Sequence, residues 1–163
     1  MNNRLRMLGG NKMKLYRREN YLKKIRGFYH DTEIIKVITG IRRCGKSCLM
    51  QTIAEELKES GILSENIIYI NLDKRGFKSI KTPAELEAVI DRFCTAKGTK
   101  YLFIDEIQNV EDFESVINAF REEQEYSIFI TGSNSYLLSG ELVTKLTGRY
   151  LEFEMSPLTF DEY

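Results

Sequence analysis

The chain reads as an α/β protein, a three-layer sandwich with a mainly parallel sheet between two helical layers. Three observations predict this. From about residue 34 onward, apolar strand-like runs alternate with helical apolar spacing. The first such run leads directly into Gly40-Ile41-Arg42-Arg43-Cys44-Gly45-Lys46-Ser47. That segment matches G-x-x-x-x-G-K-[ST], a loop that wraps phosphate between a strand and a helix. A later apolar run, Leu102-Phe103-Ile104, ends in two acids, Asp105-Glu106. A parallel sheet would bring those acids to the edge that carries the loop.

The totals suit one domain with a sizeable core: 163 residues, 42% apolar and 29% charged. No run of about 18 apolar residues is present, so no membrane span is expected. The amino end is positively charged without an apolar stretch behind it, which is not a secretory signal, and a cytoplasmic location is expected. Three cysteines, Cys44, Cys48 and Cys94, form no C-x-x-C pair. That argues against a disulfide framework or a zinc site.

Residues 1–15 read as a basic, flexible tail, broken at Gly9-Gly10-Asn11. Met1, Met7 and Met13 leave the true start open. Over residues 1–26 nine basic side chains face one acid, a net +8 in a chain of net zero. Such an arm can bind nucleic acid or an acidic partner, can be solvated, or can pair with the acidic body of the chain.

The elements follow in order from residue 16. Tyr21, Leu22, Ile25, Phe28 and Tyr29 give helical spacing over 18–29, and residues 34–39 form the first core strand. After the loop, Leu49, Met50, Ile53, Ala54 and Leu57 share one face of a helix over 47–60, closed by Gly61. A second strand covers 67–72. Thr82-Pro83-Ala84-Glu85 then has the form of a capping box with proline at the first helical position. Leu86, Val89, Ile90 and Phe93 are the buried face of that helix. A third strand at 101–104, a helix marked by Phe113, Val116, Ile117 and Phe120, and a fourth strand at 127–130 come next. A helix is expected over 136–147, closed by Gly148. In 150–155, Leu151, Phe153 and Met155 alternate with Glu152 and Glu154, as in a strand covered on one side at a sheet edge. Thr159-Phe160-Asp161-Glu162 has the form of a further capping box, so the sequence reads as a piece of something longer.

The chemistry follows from residue type and position. The glycines let the loop backbone curl, so that its N–H groups and the positive end of the helix meet phosphate. Lys46 would reach the β- and γ-phosphates, and the Ser47 hydroxyl would take one Mg²⁺ position. Asp105 would hold Mg²⁺ through water, while Glu106 orients and deprotonates the attacking water. Adjacent residues on an extended chain point to opposite sides, which would separate the two roles. Small polar groups follow the fourth strand, and Thr131, Ser133 and Asn134 are candidates for positioning water, with Asn134 preferred. Arg149 is either a cation meeting developing charge, supplied to a neighbouring subunit, or a surface or helix-end arginine. Arg42 and Arg43 could clamp phosphate or face solvent. Cys44 beside a helix start is either a small packed residue or a tunable thiol. His30, the one histidine, is expected to be solvated and non-catalytic.

Together VITGIRRCGKS, YLFIDEIQNV and IFITGSNSYLLSGELVTKLTGRYLEFEMSPLTFDEY resemble the prokaryotic AAA-type ATPases that carry a C-terminal domain of unknown function. The likeness spans residues 14–163 and implies a P-loop NTPase sandwich with a five-stranded sheet in the order 5-1-4-3-2. It assigns nucleotide to residues 40–48, including Lys46 and Ser47, and Mg²⁺ to Ser47 and Asp105. It assigns hydrolysis to Asp105 and Glu106, γ-phosphate sensing to the Ser133-Asn134 turn, and a finger in trans to Arg149. Position 48 is Cys where the family mostly has Thr, and the family's helical lid and C-terminal domain have no counterpart within residues 1–163. The implied activity is Mg²⁺-dependent ATP hydrolysis driving conformational change. The absence of an N-K-x-D motif favours ATP over GTP. The rival readings are an ATP-gated interaction module with little turnover and a nucleic-acid-coupled ATPase. Implied partners are a second copy of the chain and an unidentified protein effector, with no membrane.

Overall fold

The computed structural model describes residues 17–133, 137 and 141–157. The expected tail over 1–15, Asn134 and the last capping-box motif lie outside the described residues. Ten main elements succeed one another: α1 (Glu19–Ile25), β1 (Ile35–Gly40), α2 (Lys46–Glu59), β2 (Ile67–Asn71), α3 (Pro83–Phe93), β3 (Lys100–Asp105), α4 (Phe113–Glu122), β4 (Tyr126–Gly132), α5 (Glu141–Lys145) and β5 (Tyr150–Met155). All four strand pairings are parallel, in the order β2-β3-β4-β1-β5, the expected order read from the other side.

Alternation along the strands builds a separate core on each face. On one face Ile35, Val37, Ile68, Ile70, Leu102, Ile104, Ile128 and Ile130 pack under α3, α4 and α5. On the other, Ile38, Tyr101, Phe103 and Phe129 pack under α1 and α2. Register carries this pattern across the sheet. Tyr69, Phe103 and Phe129 stand opposite one another on β2, β3 and β4. Their rings stack at 5.7 and 4.7 Å between centroids. Such offset stacking adds to the area the rings bury.

Helix starts follow local chemistry. The Glu85 N–H donates to the Thr82 hydroxyl at 3.3 Å, and the Thr82 N–H donates back to the Glu85 carboxylate at 3.1 Å. Pro83 sits in the first turn, where no donor is required. The described helix before Gly148 covers Glu141–Lys145, and the expected start at 136 lies outside the described residues. One expectation changes at the sheet edge. Leu151 is 37% exposed despite its alternation, because β5 is an edge strand that pairs with β1 alone and is fully covered only at Met155. His30 is exposed, as expected, and its Nδ1 is bonded to the Tyr101 hydroxyl at 2.7 Å, at the sheet edge remote from the phosphate loop.

Residues 17–26 of the basic segment pair with acids of the chain itself, one of the uses expected of it. Arg26 pairs with Glu19 at 2.8 Å and with Glu56 at 2.6 Å, and Arg17 pairs with Glu59 at 3.3 Å. These residues tie α1 to α2 rather than forming part of a free arm. Paired with Arg26, the Glu19 and Glu56 carboxyls are held below their ordinary range.

Lys36, the second residue of β1, has no exposure at all. Its ammonium donates to the Asp31 carbonyl at 2.6 Å and to the Ser127 hydroxyl at 2.9 Å, and sits 4.6 Å from the Phe129 ring centre. Burial nevertheless pushes its pKa down to about 7, against a smaller pull upward from Asp31. Between pH 7 and 10 the unfolded chain therefore binds a proton at Lys36 that the folded chain does not, so stability rises with pH across that window. Above pH 10 the trend reverses, because burial holds the Tyr29 and Tyr69 phenols protonated in the fold. Chemical denaturation from pH 7 to 10 should show a gain on the order of 3 kcal/mol that Lys36→Met largely removes. An equal gain in the variant would show that Lys36 is not its source.

Candidate functional site

Because every strand runs the same way, Gly40, Asn71, Asp105, Gly132 and Met155 all end at one edge of the sheet. The chain leaves β1 between β4 and β5 and crosses to β2 at the far side. This reversal of direction is where open α/β sheets leave a crevice for ligands.

The loop from Gly40 to Gly45 is shaped by positive φ at three positions: Gly40 at 153°, Arg43 at 67° and Gly45 at 96°. Gly40 is also a steric necessity. A Cβ there would sit 2.6 Å from the Met155 carbonyl oxygen and 2.6 Å from the Cys44 sulfur. Gly45 is the N-cap of α2 and, having no side chain, caps nothing. The first-turn N–H groups of α2 therefore keep no intrahelical acceptor, and the helix dipole adds positive potential there. Lys46 is 4% exposed, and its ammonium donates to the Gly40 carbonyl at 3.0 Å and the Ile41 carbonyl at 2.9 Å. Ile41, Arg42 and Arg43 are exposed, so both arginines face solvent. Cys44 is 2% exposed and packed against Gly40, which makes it a small packed residue and not an accessible thiol. Ser47 is half-buried and Cys48 exposed in the first turn of α2.

The acidic pair lies two strands from β1. Asp105 is fully buried at the end of β3. It accepts a hydrogen bond from the Thr131 hydroxyl of β4 and one from the Asn71 amide of β2 at 3.4 Å. The next residue leaves the strand at once, with Glu106 left-handed at φ 60° and ψ 50°. The two acids thus diverge through a backbone turn, and not through the extended alternation expected from sequence. That turn sends the Glu106 N–H to the Thr131 hydroxyl at 3.1 Å. Thr131, fully buried, accepts from Glu106 and gives its one proton to Asp105, so it ties the two acids together. The Glu106 carboxylate accepts from the Gln108 amide and from the Ser133 hydroxyl at 3.4 Å.

Asn71 and Gln108 carry no signal in the sequence. Asn71 is visible only through register, as the β2 partner of Asp105. Gln108 stands two residues after Glu106, but nothing in the spacing shows that the chain folds back through a short 3₁₀ turn over 107–109. Its other amide atom, Oε1, is buried without a partner among the described residues and lies 2.7 Å from where a Cβ on Gly132 would be.

Arg149 lies at the other end of the sheet. Its carbonyl accepts from Ile35 N–H at 3.0 Å, at the start of β1, while the phosphate loop is at that strand's end. With six residues in β1, a rise of about 3.3 Å each puts the loop roughly 17 Å away. Arg149 therefore cannot serve its own chain's loop.

The Ser47 hydroxyl and the Asp105 carboxylate, which stand at the same sheet edge, are oxygen groups of the kind Mg²⁺ accepts. Mg²⁺ takes one or two protein oxygens and fills its other positions with water and phosphate, unlike metals that need an all-protein cage.

A parallel sheet with a glycine-bounded loop at the reversal point and an acid pair at the end of β3 defines a P-loop α/β protein. The AAA domain family profile matches residues 32–163, and the chain belongs to that family. It is 44% identical over 147 residues to an uncharacterized protein of Haemophilus influenzae, covering 90% of this chain and 36% of that protein. Among solved structures, Cdc6p from Pyrobaculum aerophilum superimposes with a TM-score of 0.63 at 14% identity, over 95% of this chain and 49% of that one. AMPPCP-bound DnaA from Aquifex aeolicus gives 0.54 at 19% identity, over 89% and 47%. The chain spans about a third of the length of the curated relatives it matches. No helix among the described residues is long and apolar enough to cross a membrane.

Gly40→Ala should lower stability by about 2 kcal/mol or more in chemical denaturation, because the added methyl meets a backbone carbonyl that cannot yield. Full stability in that variant would show that the loop does not pack on β5 as described.

Proposed function

We propose that this chain binds ATP with Mg²⁺ at residues 40–48 and hydrolyses the γ-phosphate, as an ATPase core whose output is conformational. One observation carries the reading. The uncapped amino end of α2, with its buried lysine, shares a sheet edge with a buried aspartate followed by a turned-out glutamate. Membership of the AAA domain family supports nucleotide binding as the general class of activity.

In this reading the loop N–H groups and Lys46 bind the phosphates, with Lys46 exchanging its loop carbonyls for phosphate oxygens. Ser47 and Asp105 would hold Mg²⁺, which neutralises phosphate charge when bound. Thr131 and Asn71 keep the buried Asp105 oriented. Glu106 accepts the proton of the attacking water, and Gln108 and Ser133 set the position of its carboxylate. Asn134 senses the γ-phosphate, and Arg149 acts on the site of a neighbouring copy, which makes a homo-oligomer part of the proposal. An unidentified protein effector would receive the motion.

A second reading, an ATP-gated module with little turnover, draws on the two hydrogen bonds that restrain Glu106. Single-turnover hydrolysis separates the two readings, since tight MgATP binding without cleavage would favour the module. The nucleic-acid reading now rests mainly on residues 1–16. Stimulation of hydrolysis by DNA or RNA that is lost at raised salt would support it.

Lys46→Ala is expected to lower MgATP affinity at least ~100-fold in calorimetry. Glu106→Gln should bind within about threefold of the parent yet hydrolyse about 100- to 1,000-fold more slowly. Normal turnover by Glu106→Gln would remove the base assignment. If Arg149 acts across copies, activity per chain should rise with protein concentration, and Arg149→Ala should abolish the rise. A flat dependence in the parent would end the case for a shared site.

A further inference from the structure

Arg18 belongs by sequence to the basic amino-terminal segment and lies before the residues that the family profile matches. Its position is nevertheless internal, with only 7% of its surface exposed. One guanidinium nitrogen, Nη1, donates to two main-chain carbonyls, that of Cys44 in the phosphate loop at 3.0 Å and that of Ser156 just after β5 at 2.8 Å. The guanidinium carbon lies 4.5 Å from the centre of the Tyr21 ring. The Tyr21 hydroxyl in turn bonds the Ser156 hydroxyl at 3.0 Å and accepts the Ser156 N–H at 3.0 Å. Arg18 is held at its root as well, since its own carbonyl accepts from the Tyr21 and Leu22 N–H groups at the start of α1.

The bond to Cys44 bears on the loop's chemistry. No cis peptide occurs among the described residues. In a planar trans peptide the C=O of one residue and the N–H of the next point in opposite directions. A guanidinium that fixes the Cys44 carbonyl therefore aims the Gly45 N–H away from Arg18. The bond to Ser156 bears on the chain beyond the sheet. The loop already touches the end of β5 at the Gly40–Met155 contact, and Gly40 and Met155 are register partners. Sharing one nitrogen, the two carbonyls cannot separate without breaking a charge-assisted hydrogen bond.

We infer that Arg18 is a positioning residue that clamps the phosphate loop to the chain leaving β5, so that phosphate bound at the loop and the path of residues 156–157 are coupled. The inference rests on the nucleotide reading of the loop. Phosphate draws the Gly45 N–H inward, the opposed Cys44 carbonyl tightens on Arg18, and Arg18 with Tyr21 holds Ser156. By linkage, whatever displaces Ser156 weakens phosphate binding to the same degree.

The test uses the whole chain, with MgATP calorimetry and backbone amide exchange with and without saturating MgATP. In the parent, MgATP should slow exchange over 150–156. Arg18→Met, which keeps the stem and removes both donors, should bind about tenfold more weakly and lose that slowing. Arg18→Lys should recover affinity to within about threefold. Tyr21→Phe leaves Arg18 in place and removes the hydroxyl on Ser156. It should keep affinity within about threefold while losing at least half of the slowing at Met155 and Ser156. A folded Arg18→Met with parental affinity, or parental slowing in Tyr21→Phe, would overturn the clamp alone. Should Arg18→Met not fold, the Tyr21→Phe result decides. A parent that takes up no MgATP would overturn the nucleotide reading itself, and the clamp's role with it.

Discussion

At Gly40 the first strand runs so close to the end of the fifth that no side chain fits between them. A Cβ at that position would meet the Met155 carbonyl and the Cys44 sulfur, both at 2.6 Å. This contact sets where the chain must turn, and the rest of the edge is arranged around it. The loop has to curl over the end of β5, the helix after it has to start without a side-chain cap, and Lys46 has to lie along the loop's own carbonyls. Glycine meets both demands here, the steric one and the backbone one.

Across the neighbouring strands the sheet handles negative charge differently. Asp105 is fully buried, and a buried carboxylate is stable only where donors meet it. Those donors come from the strands on either side, Thr131 on β4 and Asn71 on β2. One hydroxyl serves both acids, because Thr131 also accepts the Glu106 N–H. The left-handed turn at Glu106 stores a modest strain, which the Thr131 bond and the Gln108 and Ser133 contacts offset. The resulting arrangement keeps one acid fixed and dry and turns the other out, held by two groups that can release it.

Residues 17–26 are part of the scaffold rather than an appendage. Arg17 and Arg26 reach acids on α2, and Arg18 reaches the phosphate loop. A count of charges along the sequence cannot distinguish these uses from a solvated arm, since an arginine in a network and one in water contribute the same formal charge.

Where one residue's requirement is met by its near neighbours, sequence was enough. The loop motif, the Thr82–Glu85 capping box, the alternation of strands and helices and the acids ending β3 are such local patterns, and each is where it was expected. The strand order came from resemblance and not from spacing. What folding alone decided depends on pairing between distant segments. Register brings Asn71 and Thr131 to Asp105, and the reach of α1 buries Arg18 behind the loop. The length of β1 separates Arg149 from its own chain's site, and the exposed edge of β5 leaves Leu151 uncovered. The physical reason is that caps and periodicity are satisfied within a few residues. A hydrogen bond or contact across the sheet instead depends on which strands become neighbours, and that information lies in no single stretch of the chain.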